Sequence, residues 1–200
     1  HQCSTFQKAT YLTRIVYSRE ARQKMYQLLT LFRPDVVHLN NFNFQLTPSV
    51  LLAAEEYRKQ ENPKLRILYT AHDYQLVCPN HMCRNPGTQE NCEKCLAGSF
   101  LNCAKGKCIH GSLAKSLVGT AEGQFWKWKG VYKKLDTVIC CSRFIKSKID
   151  TNPILAAKSV AMHNFVEPVA QKNVEKKDYV LYFEKEETVE TPVADGEENV

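Results

Sequence analysis

The amino-acid sequence predicts an α/β fold: a Rossmann-like parallel sheet with helices on both faces, carrying a cysteine-rich insert. Three observations lead there. Short apolar runs, DVVHL at 35–39, LRILYT at 65–70, DTVIC at 136–140 and SVAM at 159–162, have the continuous apolar character of strands covered on both faces. Segments of helical period separate them with short connections, the pattern of right-handed βαβ units. Between the second and third runs lie 40 residues, 71–110, rich in Pro, Asn and Cys and poor in periodicity. So long a segment in a compact domain needs something other than apolar packing to order it.

The elements follow in order. Residues 18–32 are expected to form the first helix, because Ala21, Met25, Leu28, Leu29 and Phe32 recur at helical spacing, Ser18 is placed to cap and Glu20 sits in the first turn. Pro34 ends it, and strand 35–39 leads into the loop NNFNFQL. Thr47 is expected to cap a second helix with Pro48 at its first position, burying Leu51, Leu52, Ala54 and Tyr57. After strand 65–70 and the insert, a helix is expected from Ser112 through about residue 135. Its inner face would carry Leu113, Leu117, Ala121, Phe125, Trp128 and Tyr132, leaving Lys127, Lys129, Lys133 and Lys134 in water. Strand 136–140, a short helix capped by Ser142 and ending near 149, strand 159–162 and a fifth strand, DYVLYF at 178–183, complete the pattern. His38, inside its strand, is expected to be buried.

This divides the chain into a Rossmann-like domain over 1–168 with the insert at 78–110, a linker and one further strand over 169–183, and a tail over 184–200. The tail holds seven acids and one lysine without periodicity, and disorder is expected there.

Of 200 residues, 44% are hydrophobic, which excludes an intrinsically disordered chain and allows a sizeable core. The formal net charge is +6, and without the acidic tail it becomes +12, from 26 basic and 14 acidic residues. A basic body suits anionic partners: phosphates, nucleic acid or a lipid headgroup layer. No apolar run is long enough to cross a bilayer, and the opening HQCSTFQKAT lacks the cationic start and apolar block of a signal peptide. The Trp126–Lys134 stretch interleaves aromatics with lysines. An amphipathic helix is the preferred reading, ahead of peripheral attachment to an anionic membrane and of nucleic-acid binding.

Nine cysteines are many for a reducing compartment, and six of them fall between positions 78 and 108. Cys92-x2-Cys95 and Cys103-x4-Cys108, seven residues apart, can close two claws on a structural zinc ion. Buried free thiols, disulfides and an iron–sulfur cluster remain open alternatives. Cys78, Cys83 and His110 are reserve ligands whose plainer role is packing, as it is for Cys140 and Cys141. A closed fourfold shell is a staple rather than a catalyst.

Ligands of open parallel sheets bind beyond the carboxyl ends of strands. His72 and Asp73, in TAHDY after the second strand, are therefore candidate catalytic residues: an imidazole there can exchange a proton or hydrogen bond with a hydroxyl, and Asp73 can orient it. Asn40 and Asn41 follow the first strand and Ser142 and Arg143 the third, so all four are placed to flank the same cleft. For Ser142 the plainer role is capping.

The chain resembles the N-terminal, acceptor-side half of a glycosyltransferase family 4 enzyme of GT-B architecture. The resemblance rests on RPDVVHLNNFNFQLTPSVL, ILYTAHDYQLVCPN, CEKCLAGSFLNCAKGKCIHGS, GVYKKLDTVICCSRFIKSKI, and MHNFVEP followed by DYVLYF, over about residues 6–183. The cysteine-bearing insert is its most specific part and is similar to a subgroup of bacterial polysaccharide-type transferases. The resemblance implies a nucleotide-sugar donor, a glycan or lipid-linked acceptor, retention of anomeric configuration and no catalytic metal. The α/β segments that flank the cysteines read as a cytoplasmic domain, and peripheral contact with the inner face of the membrane is the lesser reading of the Trp126–Lys134 stretch. The resemblance places His72 facing acceptor and donor sugar, Ser142 at the interdomain cleft, and Asn164 in the segment leading to the donor domain. The family's opening strand with its glycine-rich loop and its donor domain have no counterpart in these residues, so activity of this half alone is not expected. The competing expectation is a non-catalytic, zinc-stapled module that binds a partner or an anionic glycan.

Overall fold

Parallel strand pairing sets the frame of the computed structural model, which describes residues 14, 16–42, 46–96 and 99–165. The expected strand 178–183, the linker and the acidic tail lie outside the described residues. In chain order the elements are α1 (Arg19–Phe32), β1 (Val36–Leu39), α2 (Ser49–Gln60), β2 (Arg66–Ala71), α3 (Leu101–Lys105), α4 (Leu113–Lys129), a 3₁₀ turn (Val131–Lys134), β3 (Thr137–Cys140), α5 (Arg143–Ile149), α6 (Pro153–Ala156) and β4 (Ser159–Ala161). The sheet runs β1-β2-β3-β4, every pair parallel. Four of the expected strands are thus present among the described residues. Helix α6, which begins at Pro153 with Asn152 accepting from the Ile154 N–H at 3.0 Å, was not anticipated.

Local chemistry sets most element ends. Ser18, Ser112 and Ser142 each occupy the N-cap and accept from the backbone N–H three residues on, at 3.1, 3.4 and 3.1 Å. Arg33, at φ 46°, closes α1 by donating its N–H to Leu29 O at 2.8 Å. Thr47 stands one residue further out than expected, with Pro48 in the cap position. Its hydroxyl instead joins two helix starts, accepting from Ser18 N–H at 3.2 Å and donating to Ser49 Oγ at 2.9 Å.

Register puts Val37 beside Ile67 and Tyr69 beside Val138. These four are buried with Leu29 of α1, Leu51 and Tyr57 of α2, and Trp126 of α4 in one core. At the alternating positions Val36, His38, Arg66 and Val160 are exposed, and Leu68 and Ile139 are only half-buried. The expected cover on both faces is therefore met on one face among the described residues. The reason is chirality: right-handed crossovers that step the same way across a sheet deliver their helices to the same side. His38 is corrected accordingly. It is exposed on the open face, with Nε2 2.6 Å from Thr70 Oγ1.

The orientation of α4 also differs from expectation. Leu113, Leu117 and Trp128 face outward, at 50, 50 and 76% exposure, whereas Ser116, Thr120 and Trp126 are buried. The buried stripe consists largely of small residues because the insert presses on it. Ser116 Oγ accepts from Ile109 N–H at 2.9 Å, and Thr120 Oγ1 donates to Phe100 O at 3.1 Å. A Cβ at Gly119 would lie 2.3 Å from Ile109 Cδ1 and one at Gly123 3.0 Å from Phe100 Cδ2. Close approach and two hydrogen bonds outweigh a larger apolar face that finds nothing to pack against.

Glu122, on the same helix, gains a pH dependence from this arrangement. Burial raises its carboxyl to about 7, against the lesser, opposing influence of Trp126. Between about 4.5 and 7 the folded chain keeps a proton that the unfolded chain releases, so stability falls as pH rises through that window. The loss is about 2–3 kcal/mol after allowing for partial solvent access. Glu122→Gln is expected to abolish this decline and to melt above wild type at pH 8 but not at pH 4. Parallel melting-versus-pH curves for the two proteins would refute the assignment.

Candidate functional site

The carboxyl ends of β1 and β2 bring four of the candidate residues together. Asn40 and Asn41 leave β1, and His72 and Asp73 leave β2, which pairs with β1 in register. His72 Nε2 lies 3.1 Å from Asn40 Oδ1. Because that oxygen can only accept, Nε2–H donates to it, and in the neutral ring Nδ1 offers a lone pair. Asn41 Nδ2 donates to Asp73 Oδ2 at 3.3 Å, and Tyr69 OH donates to Asn41 Oδ1 at 3.4 Å. Asp73 Oδ1 accepts from Gln75 N–H at 2.9 Å, and His81 Nδ1 lies 3.7 Å from Asp73 Oδ2. Asp73 thus serves Asn41, His81 and its own turn, and no hydrogen bond joins it to His72. His72 and both asparagines are exposed, open to a ligand from above the sheet.

Other candidates stand apart. Ser142 Oγ is engaged in capping α5, as its plainer reading had it, and Arg143 is exposed in the first turn of that helix. Asn164 is exposed three residues beyond β4 and makes no hydrogen bond to the His72 group. Two concavities lie elsewhere, one of about 240 Å³ beside Leu96 and Trp126, the other an open groove of about 1540 Å³ beside Arg19, Tyr26 and Trp128. Among the described residues the His72 site is a polar ledge at the strand ends.

One residue of the site was missed. Cys140 is buried, as packing requires, but its neighbour Cys141 is half-exposed with Sγ 3.6 Å from His72 Nδ1. Its place directly after β3 was the available signal, the same strand-end rule that singled out Asn40 and His72.

The insert gathers its cysteines. Cys78, Cys92, Cys95, Cys103 and Cys108 line one cavity of about 10 Å³, room for about one atom. Burial pushes the Cys95 and Cys103 thiols up to about 12. Cys78 and Cys83 share a hydrogen bond that holds the Cys78 thiol low and the Cys83 thiol high. Among the described residues no three His, Cys, Asp or Glu side chains stand close enough to hold a metal ion as they are placed, and their cysteines form no disulfide. Thiols are donors that soft ions take, but Asn80, Asn102 and the cationic Arg84 also line the cavity, and the thiols are spread wider than a closed shell. His110, exposed and at φ 52°, does not line the cavity.

Comparison with known proteins adds no relative: no family model, no curated protein and no solved structure matches the chain.

Proposed function

We propose that this chain is the acceptor-side half of a retaining glycosyltransferase, with His72 positioning the acceptor hydroxyl beside a nucleotide-activated sugar. The observation that carries the reading is the His72, Asn40, Asn41 and Asp73 group at adjoining carboxyl ends of a parallel sheet, where such folds bind ligands. Chemically, the acceptor hydroxyl of a glycan or lipid-linked sugar exchanges with Asn40 at the His72 ring, whose exposed edge costs little to desolvate. The anomeric carbon then loses its bond to the donor diphosphate and gains one to the acceptor oxygen on the same face, and the departing diphosphate takes up the acceptor's proton. Asn41 and Asp73 hold the ledge in shape. The basic body and the outward Leu117, Trp128 and Lys129 of α4 support peripheral contact with an anionic membrane carrying such an acceptor.

The test incubates the chain with UDP-, GDP- and ADP-sugars and candidate acceptors, with and without a separately supplied donor domain, and quantifies released nucleotide. Release is expected only with acceptor present, falling about a hundredfold in His72→Ala. Acceptor binding without release in any combination would favour the non-catalytic binding module instead. Turnover that ignores His72→Ala would remove the role given to this residue.

The cysteine insert is read as a zinc staple. The cavity ringed by Cys92, Cys95, Cys103 and Cys108, with Cys78 beside them, supports it: deprotonated by the ion, these thiolates would draw in around it. Zinc there would supply folding energy to the insert that supports α4, without taking part in transfer.

A further inference from the structure

The thiol beside His72 has no part in the function just proposed, yet its surroundings are those of an activated nucleophile. Cys141 Sγ, His72 Nδ1, His72 Nε2 and Asn40 Oδ1 form a line across the ends of three neighbouring strands, with gaps of 3.6 Å from sulfur to ring and 3.1 Å from ring to amide. Asn40 Oδ1 accepts a hydrogen bond from Nε2–H, so in the neutral ring the Nδ1 lone pair faces sulfur. Thiol, imidazole and orienting amide are the parts from which a base-activated cysteine is built. The three residues come from positions 32 and 69 apart in sequence, so the alignment is a product of sheet register rather than of local sequence.

Among the described residues the other thiols are less available. Cys78, Cys83, Cys95, Cys103 and Cys140 are buried, and the half-exposed Cys92 and Cys108 line the insert cavity. Cys141 is half-exposed beside an exposed imidazole, so a small reagent can reach both.

We propose that Cys141, with His72 as its proton acceptor and Asn40 as the orienting group, is a reactive thiol that undergoes exchange with low-molecular-weight disulfides. His72 Nδ1 takes the thiol proton, and the Cys141 thiolate attacks one sulfur of the disulfide. The old S–S bond breaks as the new one forms. The departing half leaves as a thiolate and recovers the proton from the imidazolium, so Cys141 is oxidised and one half of the reagent is reduced to thiol. The adduct stands against the His72 ring and occupies the ledge. Its consequence, reversible closure of the acceptor site under oxidising conditions, rests on the glycosyltransferase reading; the reactivity of Cys141 does not.

The test treats the full chain with glutathione disulfide at neutral pH and follows each cysteine by peptide mass mapping. Cys141 is expected to gain the adduct first, ahead of Cys92 and Cys108, and His72→Ala is expected to slow it about tenfold. Asn40→Ala should slow it less, since it leaves the base in place. A second measurement needs no variant: Cys141 in the folded chain should react faster than the same residue in urea. An unchanged rate in His72→Ala, or a folded-state rate no faster than the unfolded one, overturns the proposal. Adduct formation is read without any sugar donor, so it succeeds or fails independently of transferase activity. If nucleotide release is observed, the adduct should suppress it and added reductant should restore it; release that continues with Cys141 fully modified overturns the closure.

Discussion

Trp126→Ala should cost about 3–5 kcal/mol of stability, whereas Trp128→Ala, two residues along the same helix, should change it by no more than about 0.5 kcal/mol. Trp126 is fully buried, its ring stacked on Tyr17 with centroids 5.7 Å apart and meeting Phe125 edge-on at 4.9 Å. Removing the indole forfeits the transfer free energy of a large ring and leaves a void in the main core beside Tyr17 and Phe125. Trp128 is 76% exposed, with the Lys129 ammonium 5.3 Å from the centre of its ring. Since small domains hold only about 5–15 kcal/mol in total, the first substitution should produce a chain much of whose margin is gone. Urea denaturation of both variants measures the difference directly. A larger loss from Trp128→Ala would reverse the orientation assigned to α4.

Purified without chelator, the chain should carry one zinc ion, and its removal should unfold the insert. Structural zinc sites of thiolate type contribute about 10 kcal/mol or more of apparent binding free energy near neutral pH, a sum that appears as folding energy. Cys103 is the most informative position, being almost fully buried within the satellite cluster formed with Cys95 and Phe100. Cys103→Ser should abolish metal retention, and chelation of wild type should give the same loss of structure. The damage should spread to α4, because Phe100 and Ile109 of the insert are what Thr120 and Ser116 bond to. Metal analysis, thiol titration and circular dichroism read the three consequences. A metal-free chain that melts as high as the zinc-treated one refutes the staple.

How much of this was legible in the sequence varies with the range of the interaction. Asn40, Asn41, His72 and Asp73 were found because a strand-end rule needs only strand positions, and strands were visible as short apolar runs. The rule predicts a shared ledge but not its pairings. Asp73 proved to serve Asn41 and the 75 N–H instead of His72, since the turn after β2 aims the carboxylate away from the ring. Cys141 escaped because a cysteine after a buried strand has packing as its ordinary use, and only the distance to His72 distinguishes it from Cys140.

The sequence by itself determined the parallel α/β class, the four described strands to within a residue or so, and the serine caps at Ser18, Ser112 and Ser142. Each of these depends on contacts a few residues apart or on a repeating apolar pattern. Tertiary structure alone decided which face of α4 is buried, that the helices of the main core share one face of the sheet, and that Cys141 meets His72. Helical period offers two candidate faces, and the choice falls to whichever neighbour arrives: here Phe100 and Ile109, which fit glycines and hydroxyls and leave no room for leucine. Likewise Cys141 and His72 are 69 residues apart and are neighbours only because parallel register sets the ends of β2 and β3 side by side.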